Sequence, residues 1–316
     1  MRNRVLASLG ALLLAPFQQI ALPSRAPAGT AFAASILTFA PADQSAAALT
    51  ARSGVPPVLS STPPVNALQA GFAELYNLKF DRAQAEFERW MREQPDDPLG
   101  PACRLTVYLF QELHRLHIPH GSLLPGARPA ATAESDPRLK GVFYEQLRKA
   151  TDQAQRRLAR QPGDESALLA LTIIYATQAD YLNLIERRSW ASLTLFKKSN
   201  RYAQQLLKRN PNAHDAWAAS GLSEYLAGSL PFYARWLVRF DSVKGDKRAA
   251  IEQLQRAATG GRYLRPYAKI LLAGVYLRER RPQEGLRVLR ELNSEFPDNV
   301  TIAAELKKLD GQFRQP

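Results

Sequence analysis

The sequence predicts an all-α fold: a solenoid of about five antiparallel helix hairpins with insertions, closed by a C-terminal capping helix. Three observations carry this. From about residue 64 onward, apolar residues recur at helical spacing rather than in alternation. Four helices close on similar phrases, QPDD at Pro95, QPGD at Pro162, NPNA at Pro211 and FPDN at Pro297. Twelve residues before each proline stands a small residue, Ala83, Ala150, Ser199 or Gly285, where a neighbouring helix can approach closely. Self-similarity of this kind is the signature of stacked repeats.

Taken in order, Asn66–Leu78 and Asp81–Glu93 read as the first hairpin, with Phe72, Leu75, Phe80, Phe87 and Trp90 as core and Asp81 as an N-cap. Pro101 to about Ile118 is the next helix. A loop of about 18 residues follows, long for a compact domain. Asp136–Pro137 then starts a helix reaching Arg160. Asp164 to about Ile185 and Ser189–Arg209 form a longer hairpin, and Lys208 and Arg209 complement the dipole at its end. His214–Ala227 opens the fourth unit, and Asp246–Ala258 completes it after the insertion GSLPFYARWLVRFDSVKG. The most regular hairpin is the last, Pro266–Arg278 with Pro282–Glu295. Its first helix carries Tyr267, Ile270, Leu271, Val275 and Leu277, and its second Leu286, Val288, Leu289 and Leu292. Val300–Leu309 is the capping helix.

Gly71/Ala83/Phe87/Pro95, Trp217/Ser220/Gly221 and Tyr276/Gly285/Leu289/Pro297 resemble the tetratricopeptide repeat (TPR) pattern over roughly residues 64–313. Successive prolines stand 67, 49 and 86 residues apart, so the units depart from the family period of about 34 by carrying insertions. Residues 225–299, with GSLPF, GDK and FPDN, also resemble an exported bacterial repeat family of unknown role. The resemblance implies a protein-binding scaffold. The carboxylate clamp that some members use is not expected. The two clamp positions hold Leu68/Phe72, Leu169/Ile173, Ala218/Leu222 and Ile270/Gly274, none of them Lys or Asn. A groove built of these would be mostly apolar, or the residues would pack against neighbouring units.

Met1–Arg4 is basic, Val5–Ala15 is apolar, a small-x-small site occurs at Ala31–Ala33, and no acid precedes Asp43. This predicts a signal peptide over residues 1–33 and export to the periplasm or cell envelope. The apolar run is shorter than the ~20 residues of a membrane span. Residues 34–63, rich in Ala, Pro and Ser, read as a disordered linker, and 64–316 as the helical repeat domain. Removing residues 1–33 takes away Arg2, Arg4 and Arg25, lowering the formal charge from +13 to +10. In an exported chain that points to an anionic membrane, a cell-wall polymer or acidic proteins rather than nucleic acid. A merely soluble basic surface is the plain alternative. With one cysteine, Cys103, there is no internal disulfide, and Cys103 reads as a small buried residue.

No phosphate loop, nucleophile elbow or HExxH is present, so no enzyme and no cofactor is expected. His114, His117 and His120 form the one histidine cluster, with spacing that could hold a zinc-like ion or simply end a helix. The sharper candidate is PFYARWLVRF, where Phe232, Tyr233, Arg235, Trp236 and Arg239 combine aromatic and Arg anchors for a protein partner. Tyr263, Arg265 and Tyr267 in RYLRPY form a second cluster that could line the same face. Each has a structural reading, as a core plug and as an inter-helix loop. The expected function is a non-catalytic exported scaffold that binds protein partners. The alternative is a peripheral membrane or cell-wall associated factor using residues 231–240.

Overall fold

A computed structural model describes residues 66–118, 135–230 and 243–313. The expected signal peptide, the linker, His120 and residues 231–242 lie outside the described residues. Within the described residues, eleven α-helices follow in order: α1 Ala67–Tyr76, α2 Phe80–Glu93, α3 Leu99–Arg115, α4 Pro137–Arg160, α5 Glu165–Asp180, α6 Ser189–Arg209, α7 Ala216–Ser229, α8 Lys247–Gly260, α9 Arg265–Arg278, α10 Pro282–Glu295 and α11 Val300–Phe313. A π-helical turn, Tyr181–Ile185, continues α5. Five hairpins result (α1/α2, α3/α4, α5/α6, α7/α8, α9/α10), and α11 caps the array. No strand occurs among the described residues.

Each helix in the chain packs on the next. Consecutive helices are antiparallel, so the first helices of all hairpins run the same way. Their turns into the second helices therefore lie along one rim of the solenoid. The small residues act as the sequence predicts. Ala83, Ala150 and Ser199 are buried, and the Ser199 hydroxyl donates to the Thr172 carbonyl at 2.8 Å. A Cβ on Gly71 would lie 2.4 Å from the Phe87 ring, so α1 and α2 meet at glycine-to-phenylalanine distance.

Two boundaries are corrected. Lys79, not Asp81, precedes α2, with Asp81 inside its first turn. The last helix runs on to Phe313. The rim also shows a device that sequence reasoning did not find. Leu78, His117, Arg187 and Arg280 have φ of 61°, 53°, 58° and 59°, each just past the first helix of its hairpin. Around three of them the next residue's N–H bonds back five residues: Lys79 to Glu74, Ile118 to Leu113 and Arg281 to Tyr276. This left-handed C-terminal motif usually takes glycine. Here non-glycine residues bear its conformational cost, so no glycine marked it.

The array closes on itself. Asn66 caps α1 by accepting from the Gln69 N–H at 2.9 Å, and its amide donates to the Tyr263 hydroxyl at 3.1 Å. At the other end of α1, the Asn299 amide donates to the Tyr76 carbonyl at 2.6 Å. Lys79 pairs with Asp298 at 2.6 Å. Ring contacts of Phe72 with Tyr263 and of Tyr76 with Phe296 fill the seam. The FPDN phrase that ends the fifth hairpin is thus the seat of the first.

Candidate functional site

The inner face is set by the first helices of the hairpins. All the clamp-position residues except the partly buried Leu169 are buried. Closure of the ring fills the groove they would have lined, and the reading in which they pack against neighbouring units holds. Among the described residues, the first helices enclose a cavity of about 30 Å³, lined by residues that include Phe72, Tyr76, Phe110, Asp180 and Tyr267. Asp180, at the end of α5, is buried. Its Oδ2 accepts from the Tyr267 hydroxyl at 3.1 Å, while Oδ1 has no partner among the described residues. Burial pushes this carboxyl up to about 8, against the opposing pull of the Tyr267 bond. Burial likewise raises the Tyr76 and Tyr267 phenols.

The RYLRPY junction is also mostly interior. Asp215, buried before α7, accepts from the backbone N–H groups of Arg262, Tyr263 and Leu264 at 3.1, 2.9 and 2.7 Å. Burial raises its carboxyl, and those three donors offset part of the rise. A carboxylate that clamps three successive amides makes the junction structural. Tyr263 and Tyr267 are accordingly corrected: both are buried and both hydroxyls are bonded within the chain. Arg265 keeps a partly exposed side chain and pairs with Glu295 at 3.2 Å.

Phe232, Tyr233, Arg235, Trp236 and Arg239 lie outside the described residues, but the attachment of their segment is defined. Glu224 Oε1 accepts from the Lys244 and Asp246 N–H groups at 3.1 and 2.8 Å. A Cβ on Gly228 would lie 2.5 Å from the Gly245 carbonyl oxygen, and Gly245 has φ of +77°. The chain leaves α7 and returns to α8 through one narrow neck. Beside it, Glu279 receives the Tyr225 hydroxyl at 3.0 Å and Lys247 at 2.7 Å.

His114 and His117 are exposed past the core. His114 packs its ring 5.7 Å from Phe80, and His117 occupies the left-handed turn position. No group of three metal-ligating side chains occurs among the described residues. Cys103 is fully buried, as expected.

Asp180, Asp215 and Glu224 escaped the sequence reading. Asp180 had a signal available: it is the one acid between Ser166 and Ile185, a run otherwise without charge. With Glu165 this stretch is long and apolar enough to cross a membrane, and 89% of its apolar window is buried within the solenoid, as a core helix is.

The hairpins define an all-α solenoid of stacked helix pairs. Among solved structures, that of TTC0263, a thermophilic TPR protein in Thermus thermophilus, is similar to this chain. It is 17% identical, has a TM-score of 0.41, and the match covers 77% of this chain and 96% of that one. No family model matches the sequence, and no curated protein matches it.

Proposed function

We propose that the chain is an exported, non-catalytic scaffold of the bacterial cell envelope that binds protein partners from its outer rim. Its ring closure buries the inner groove, so recognition falls to what stands outside. The observation that supports this most is the neck at Glu224, Gly228 and Gly245, where the chain leaves α7 and returns to α8 on either side of residues 231–242. The rim turn of α3/α4 carries the other long insertion, residues 119–134, so both insertions join the solenoid at the same edge. The anchors are Phe232, Tyr233, Arg235, Trp236 and Arg239; aromatic and Arg side chains dominate binding energy at interfaces.

The test is crosslinking and capture from an envelope extract with wild type and with Trp236→Ala/Arg239→Ala. A partner lost in the variant, with an unchanged melting temperature, supports the reading. A partner retained equally by both sinks the role of this segment. Sedimentation with anionic vesicles runs alongside, because a membrane surface is the other occupant these residues suit. Cell fractionation tests export, and a chain found whole in the cytoplasm overturns it.

A further inference from the structure

The axial cavity is separate from the outer rim, and nothing in the scaffold reading employs it. We propose that it is a binding site for a small primary ammonium group, held by Asp180 among aromatic rings.

Asp180 Oδ1 has no partner among the described residues. Asp180 is 2% exposed, and a buried carboxylate oxygen left without a donor costs free energy. The cavity it lines is apolar for most of its wall. Tyr76 stacks along α1 on Phe72 with centroids 6.4 Å apart, and meets the edge of Phe110 at 5.4 Å. Tyr267 completes the ring from α9. The cavity's polar lining beyond Asp180 is hydroxyl only, from Thr106, Thr177, Tyr76 and Tyr267, and those of Thr106 and Tyr267 already donate to the Cys103 carbonyl and to Asp180, so water is the competing occupant. A cation on one carboxylate, with ring faces about it, satisfies both features: the carboxylate gains its counter-ion and the rings contribute their negative faces.

Size narrows the class. A cavity of about 30 Å³ holds about two water-sized groups, matching the two heavy atoms of methylammonium. Tetramethylammonium, with five, is excluded. Potassium would take the carboxylate but needs several oxygen ligands, which the rings do not provide. Four hairpins supply the site: the first through Phe72 and Tyr76, the second through Phe110, the third through Asp180, and the fifth through Tyr267. It exists only in the closed ring.

Charge linkage adds a signature. Asp180 must ionise to hold a cation, and burial pushes its carboxyl up to about 8. Tyr76 and Tyr267, the titratable groups facing it, are raised by the same burial and stay protonated. Affinity should therefore rise with pH, being about a hundredfold weaker at pH 6 than at pH 9 or above.

The experiment uses the full chain, calorimetry and thermal melting, with methylammonium, tetramethylammonium and potassium chlorides at matched ionic strength. The expected result is one-to-one binding of methylammonium alone. The melting temperature should rise by about 4 °C at ten times the dissociation constant, and affinity should follow the stated pH dependence. Asp180→Asn should abolish binding, and Glu252→Gln, at an exposed acid on α8, should not. Should Asp180→Asn fail to fold, the ion series on wild type decides alone. Nα-acetyl-lysine amide separates two sources of the same group: if it binds, the site takes a lysyl side chain, and if only methylammonium binds, it takes a free amine. Equal behaviour of all three salts, meaning water only, or binding of potassium as well, overturns the proposal.

Discussion

Tyr267 donates its phenolic proton to Asp180 at 3.1 Å across 87 residues of sequence, joining the fifth hairpin to the third at the axis. Asp180 binds its proton more tightly when folded, at about 8 against an ordinary 3.8. Its contribution to stability is full below about pH 4 and is lost as pH rises through 8, the reverse of a salt-bridged carboxylate. Urea unfolding should show stability falling from pH 5 to pH 9 by on the order of a few kcal/mol. Asp180→Asn should flatten that slope, and an unchanged slope would show that the carboxyl is not buried as described.

Tyr267→Phe removes the donor and leaves both Asp180 oxygens unpaired. It should cost about 1–3 kcal/mol at neutral pH, read from the urea midpoint. In a double-mutant cycle the loss should be smaller in an Asp180→Asn background. Full additivity would contradict a direct bond.

Asn299 serves two purposes. It donates to the Tyr76 carbonyl and caps α11 by accepting from the Thr301 and Ile302 N–H groups at 3.1 and 3.0 Å. Asn299→Ala should destabilise the whole solenoid by about 2 kcal/mol. Hydrogen exchange should quicken in α1 as well as in α11. Exchange confined to α11 would mean that the seam does not hold.

Arg280 is exposed and bears a φ of 59°. Arg280→Gly relieves that strain and should raise stability by about 0.5–1 kcal/mol, measurable by thermal melting. Its side chain is not in the core, so no packing loss offsets the gain.

Gly71→Ala tests the close approach of α1 and α2. The added methyl meets the Phe87 ring and should cost about 1–3 kcal/mol by overpacking. Gly141→Ala, where the added Cβ meets nothing within 4 Å, is the control and should be neutral or slightly stabilising.

The hairpins were legible because their causes are local. The prolines at 95, 162, 211 and 297 stop helices by backbone sterics, and Ala83, Ala150, Ser199 and Gly285 mark helix contacts by size alone. The turns at Leu78 and Arg280 were not legible, since tertiary packing holds ordinary residues where glycine is usual. Two of the candidate residues were not legible, because their exposure had to be guessed. Tyr263 and Tyr267 carry the composition of an interface, but Asp215 and Asp180 draw them inward from 48 and 87 residues away, a distance over which periodicity is silent. Asn299 looked like a turn residue, and it is one. Its second bond, to Tyr76, depends on the curvature summed over five hairpins.

That summed curvature fixes how many hairpins the chain can hold. A linear array can gain or lose a terminal unit and keep its remaining interfaces. Here the circumference is already spent: a sixth hairpin would carry Asn66 past Tyr263, and four would leave Asn299 short of Tyr76. New sequence can enter only where it does not lengthen the circuit, at the tips between paired helices. Both long insertions, 119–134 and 231–242, stand at such tips.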